Sequence, residues 1–139
     1  MEKIAQTNWT EEMSFDAEVN GHNFAIDADE KVGGKDRGPR PKPLMMVSLA
    51  GCTAMDVISI LKKMRVTPDY FNVEAFADST EEHPKHYNKI HLKYTFRGKD
   101  LPEAKINKAV NLSQERYCGV SHMLKNAAEL THEIVIEDS

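Results

Sequence analysis

The residues best equipped for covalent chemistry are the chain's two cysteines, Cys52 and Cys118. They lie far apart, forming neither a CxxC pair nor a zinc-knuckle spacing. Each has two readings: a small hydrophobe filling a core, or a thiol kept for reaction. Cys52 sits in the apolar stretch PKPLMMVSLAGCTAMDVISILKKMRV, residues 41–66, well past Pro43 and too deep for strong help from a helix N-terminus. Asp56, one helical turn on, opposes thiolate formation at Cys52. A reactive Cys52 therefore requires a cation from elsewhere, and the segment just upstream offers Lys35, Arg37, Arg40 and Lys42. Cys118 is better placed if it opens a short helix. His122, four residues later, would then share its turn as a Cys–His pair, although an ordinary surface histidine has the same signature.

Other chemistry is weakly supported. HPKHYNKIH carries His83, His86 and His91, but mostly on a hairpin tip and with no carboxylate–histidine pattern, so a metal site there is only a third alternative. Ser48 and Ser113 lack the G-x-S-x-G context of a serine hydrolase. GGKDRG has neither the spacing nor the strand–helix setting of a nucleotide loop. No cofactor is implied.

The elements that must hold the cysteines read as follows. Met13, Phe15, Ala17 and Val19 alternate with polar residues up to Asn20-Gly21, and Phe24, Ile26 and Ala28 alternate after it: a β-hairpin. A strand around Ile4–Thr10 precedes it. Residues 29–43 hold three glycines, three prolines and five basic residues, a long loop. From Pro43 the spacing predicts a helix that is apolar nearly all round, with Lys62, Lys63 and Arg65 at its C-terminal end. A small domain rarely wraps such a helix alone, so a second chain is expected on one side. Strands follow around Phe71–Ala77 and Ile90–Phe96. Asp100 is expected to cap a helix with Pro102 in its first turn and Ile106, Ala109 and Val110 inside. A short helix near Cys118 and a strand over residues 130–138 complete an α+β chain with its strands in antiparallel pairs.

At 139 residues the chain fits one domain, 1–139, of ordinary composition: 40% hydrophobic and 29% charged. A net charge of −4 with no dense Lys/Arg run argues against nucleic acid as a partner. Charges interrupt the first thirty residues where a signal peptide would be apolar, and polar residues break the long apolar run, so neither export nor a membrane span is expected. The expected compartment is the cytoplasm, where two cysteines are free thiols or a working redox pair.

The segment GGKDRGPRPKPLMMVSLAGCTAMDV, followed later by LSQERYCGVSHML, resembles the OsmC/Ohr family of osmotically inducible and organic hydroperoxide resistance proteins. The shared features are the Gly-rich approach, a Pro then Leu opening a buried helix, a small residue before Cys52, and Ser113 ahead of Tyr117-Cys118. The element order agrees over nearly the whole chain. The resemblance implies an interlocked homodimer whose antiparallel sheets wrap around long buried central helices. It also implies a thiol peroxidase in which Cys52 attacks an organic hydroperoxide and Cys118 resolves the sulfenic acid as a disulfide. A dithiol reductant, lipoyl-type in some members, resets the pair. One position departs: the acid expected ten residues before the first Cys is Lys42, so the candidate activating cation is Arg37, Arg40 or Lys42 itself. The alternative is a non-peroxidase stress or small-molecule-binding member whose cysteines serve packing or redox sensing.

Overall fold

The computed structural model describes residues 1–138. It contains two compact units, Met1–Met45 and the remainder of the chain. In the N-terminal unit, β1 (Ala5–Glu11), β2 (Ser14–Val19) and β3 (His22–Ile26) form an antiparallel sheet with β2 central. Phe15 stands opposite Ile26 and Val19 opposite His22. Asn20 and Gly21 between them have φ of 52° and 77°, the left-handed pair that a type I′ turn demands.

The loop after β3 is ordered by one buried carboxylate. Asp27, 2% exposed, accepts hydrogen bonds from the backbone N–H groups of Ala28 (2.7 Å), Lys35 (3.1 Å) and Arg37 (3.2 Å). Burial alone would raise its pKa, but these three donors and the Arg37 charge outweigh it and hold the carboxyl below its ordinary value. Gly34 and Gly38 let the loop lie against the sheet. A Cβ on either would overlap a carbonyl oxygen, that of Ala28 or Ala25 respectively.

The second unit is built on α1 (Leu44–Lys63), β4 (Tyr70–Ser79), β5 (Tyr87–Arg97), α2 (Glu103–Leu112), α3 (Gly119–Lys125) and β6 (Glu129–Glu137). β5 is the central strand, and its inward residues Ile90, Leu92, Tyr94 and Phe96 are essentially buried. Onto them pack Leu49, Val57 and Leu61 of α1 and Ile106, Ala109 and Val110 of α2. Phe71 of β4 stacks on Phe96, with ring centroids 4.5 Å apart.

Two expectations change here. β4 pairs with β5 antiparallel, but β6 pairs with β5 in parallel, Lys89 opposite Glu129 and Arg97 opposite Glu137. A parallel neighbour needs a long crossover, and α2 with α3 supplies it. Asp100 does not cap α2. It lies in a turn at φ 53°, and Pro102 takes the cap position without a side-chain bond. Leu101 precedes a proline and is driven out of helical geometry, which pushes the helix start past Pro102. Within the single chain, α1 buries the stripe Leu49, Thr53, Val57 and Leu61, while Val47 (65%), Met55 (73%) and Ile58 (43%) lie exposed on the side where a second chain is expected. By length and composition α1 would also qualify as a membrane span, a test that core helices pass too.

Candidate dithiol site

α2 does not run directly into α3. It widens into a single π-helical turn, Ser113–Tyr117, after which Cys118 is extended (φ −74°, ψ 102°). Such turns widen a helix at the cost of its regular bonding and recur at functional positions. Here the turn buries Ser113 and Gln114, and the Cys118 N–H closes back on the Ser113 carbonyl at 2.8 Å. Cys118 then serves as the N-cap of α3, its Sγ accepting the Ser121 N–H at 3.3 Å. The expected short helix therefore exists, with the cysteine at its start.

This geometry carries Cys118 to Cys52. The two sulfurs and a carboxylate oxygen of Asp56 all lie within 4.8 Å of one another. Both thiols are free; Cys52 is partly exposed and Cys118 is 3% exposed. The Cys52 thiol is pushed above its ordinary pKa, first by burial, then by its hydrogen bond with Cys118 and by the charges of Cys118 and Asp56. The Val120 backbone N–H opposes the shift. Cys52 therefore rests as the neutral thiol.

Behind the sulfurs is a chain of hydroxyls. Tyr94 Oη lies 2.7 Å from Thr53 Oγ1, Thr53 Oγ1 lies 2.8 Å from Ser113 Oγ, and Ser113 Oγ lies 3.0 Å from Asp56 Oδ2. Proton bookkeeping fixes the direction. An ionised Asp56 only accepts, so Ser113 donates to it, Thr53 donates to Ser113, and Tyr94 donates to Thr53. Gln114 Nε2 fills the remaining acceptor sites, on Tyr94 Oη at 2.7 Å and Thr53 Oγ1 at 3.2 Å. Lys125 Nζ in turn holds the Gln114 carbonyl at 2.6 Å. Burial raises the Tyr94 pKa, against its bonds to Thr53 and Gln114, so it remains a donor. Every member of this chain lies within one helical turn of a cysteine or on β5.

The remaining candidates are placed elsewhere. Arg37 pairs with Glu12 at 2.9 Å and Glu11 at 3.6 Å; Arg40 pairs with Asp36 at 2.7 Å and Asp29 at 3.6 Å. Both sets of pairs lie inside the N-terminal unit. His122 is exposed, and its hydrogen bond to Cys118 runs from backbone N–H to carbonyl rather than from ring to sulfur. The hairpin histidines do not converge: His86 Nδ1 bonds the Pro84 carbonyl, while His91 bonds Thr131 and Glu133, each at 2.7 Å. A hollow of about 200 Å³ opens beside Cys118, lined by Arg116, Tyr117, His122 and Lys125 among others.

Sequence reasoning found both cysteines and weighed Asp56 only as an obstacle. It missed Thr53, Tyr94 and Gln114. The usable signal was the four-residue spacing Leu49–Thr53–Val57, which puts a hydroxyl on the buried stripe of α1, where it must find a partner.

The comparisons agree with this architecture. Residues 33–133 match the family model for OsmC-like protein, and the chain belongs to that family. It is 34% identical over 129 residues to Protein YhfA of Escherichia coli K12, covering 92% of this chain and 93% of that one. A hypothetical protein from Aquifex aeolicus superposes with a TM-score of 0.86 at 28% identity, over 100% of this chain and 99% of its own. The organic hydroperoxide resistance protein OhrB of Bacillus subtilis gives a TM-score of 0.65 at 17% identity, covering 94% and 95%, a likeness of fold. Family membership supports a redox or stress protein.

Proposed function

We propose that the chain is a thiol peroxidase for organic hydroperoxides that works through Cys52 and Cys118 as a homodimer. The observation that carries this reading is the convergence of the two sulfurs, within 4.8 Å of each other, at the junction of α1 and α3. In the first step the Cys52 thiolate attacks the O–O bond of ROOH. The S–O bond forms, the O–O bond breaks, and the departing alkoxide takes a proton to leave ROH and Cys52 sulfenic acid. Cys118 then attacks that sulfur, expelling water and closing the disulfide. An external dithiol returns both cysteines to thiols and leaves as its own disulfide. Arg37 and Arg40 are the cations proposed to favour the Cys52 thiolate, although each is partly neutralised by its carboxylate partners. The apolar exposed face of α1, with Val47, Met55 and Ile58, supports a second copy of the chain as its cover.

A second reading has its own support. The raised Cys52 pKa and Lys42 in the place of the expected acid favour a dithiol that responds slowly to oxidant, as a sensor rather than a turnover enzyme. Steady-state hydroperoxide consumption with dihydrolipoate as reductant separates the two. Turnover that disappears in Cys52→Ser supports the peroxidase; a wild-type chain oxidised only once, over minutes, supports the sensor.

A further inference from the structure

The proposed peroxide chemistry uses the two sulfurs and leaves the Asp56 carboxylate without a task. We propose that reduced Cys52, Cys118 and Asp56 form a binding site for a divalent cation of the zinc class. Each supplies one ligand atom, and the three atoms already lie within 4.8 Å of one another. Two thiolates and a carboxylate around a tetrahedral zinc stand roughly 3.5–3.8 Å apart, given metal–ligand bonds of about 2.0–2.3 Å. Small side-chain rotations reach that spacing from the observed one. Two sulfur ligands select zinc or cadmium over magnesium or calcium.

A dication attracts all three ligands and displaces the thiol protons. The ligands are also oriented from behind. Ser113 donates to Asp56 Oδ2 at 3.0 Å, and the Ser121 N–H points at Cys118 Sγ at 3.3 Å. Three protein ligands leave a fourth position open to an exogenous ligand. Metal binding and disulfide formation exclude each other, since both consume the thiolates. The site requires reduced sulfurs only and does not rest on the peroxidase reading.

The test is titration of the reduced, untagged chain with Cd²⁺ under argon, following the thiolate-to-cadmium charge-transfer absorption, with Zn²⁺ as competitor. The expected result is one saturable cation per chain, displaced by zinc. Cys52→Ser and Cys118→Ser should each weaken binding by about 100-fold, and Asp56→Asn by at least about tenfold. His91→Ala should bind like the parent, and the disulfide form should not bind. Where a cysteine variant fails to fold by circular dichroism, the parent alkylated at both thiols takes its place and must lose the absorption. A folded, reduced parent with no saturable band overturns the proposal, as does an undiminished band in Cys118→Ser. An Asp56→Asn chain that binds as the parent does removes Asp56 from the site and overturns it as stated.

Discussion

Cys52 carries two opposed demands. Its place on α1 beside Cys118 suits disulfide formation, yet burial, the shared hydrogen bond and Asp56 all keep its proton on. The sign of the pH effect follows. A thiol with a raised pKa is neutral at neutral pH and ionises only as the pH climbs past its ordinary range, so Cys52 alkylation by iodoacetamide should still be rising with pH where an unperturbed cysteine has levelled off. Asp56→Asn removes one of the charges that hold the proton and should shift the profile to lower pH. A profile that is flat above neutral pH, or unmoved by Asp56→Asn, contradicts this description of the site. The rate is read by quantifying labelled Cys52 peptide against time.

Among the elements, Thr53 joins three: its hydroxyl links α1 to Tyr94 on β5 and to Ser113 and Gln114 in the π turn. Thr53→Val keeps the shape and removes the hydroxyl, leaving the buried Tyr94 O–H with no acceptor in the chain described above. The expected cost is about 1–3 kcal/mol, read as a lowered midpoint in urea unfolding at unchanged slope. An unchanged midpoint would show that the hydroxyls do not hold these elements together. The elements themselves were largely legible in the sequence. Alternation marked β2 to β5, Asn20-Gly21 marked the hairpin turn, and Cys118 was placed at a helix start. What was not legible depends on partners distant in the chain. The strand pattern of residues 130–138 is the same whether its neighbour runs parallel or antiparallel, so the direction of β6 could not be read from it. The π turn has no periodic signature over five residues, and it is the feature that brings Cys118 to Cys52. The Asp100 expectation failed for a local reason that the sequence did contain, the proline after Leu101.

For the whole molecule, the apolar character of α1 was visible from sequence, but which side faces inward emerged only from the packing. One stripe meets β5 and α2, and the other stays open in the single chain. If a second copy covers it, light scattering should give twice the 15.7 kDa chain mass. Ile58→Asp, on the exposed side, should then convert the protein to a folded monomer, since a buried unpaired charge at an interface costs several kcal/mol. A parent that runs as a monomer at high micromolar concentration contradicts the dimer.

The central claim is that Cys52 and Cys118 form one oxidisable pair. It is tested most directly by intact-mass spectrometry of the reduced chain after one equivalent of cumene hydroperoxide. The wild type is expected to lose two hydrogens, Cys52→Ser to stay unchanged, and Cys118→Ser to gain one oxygen, the sulfenic acid left without its resolving partner. A wild-type mass that stays unchanged, or a Cys52→Ser chain that oxidises as fast as the parent, would contradict it.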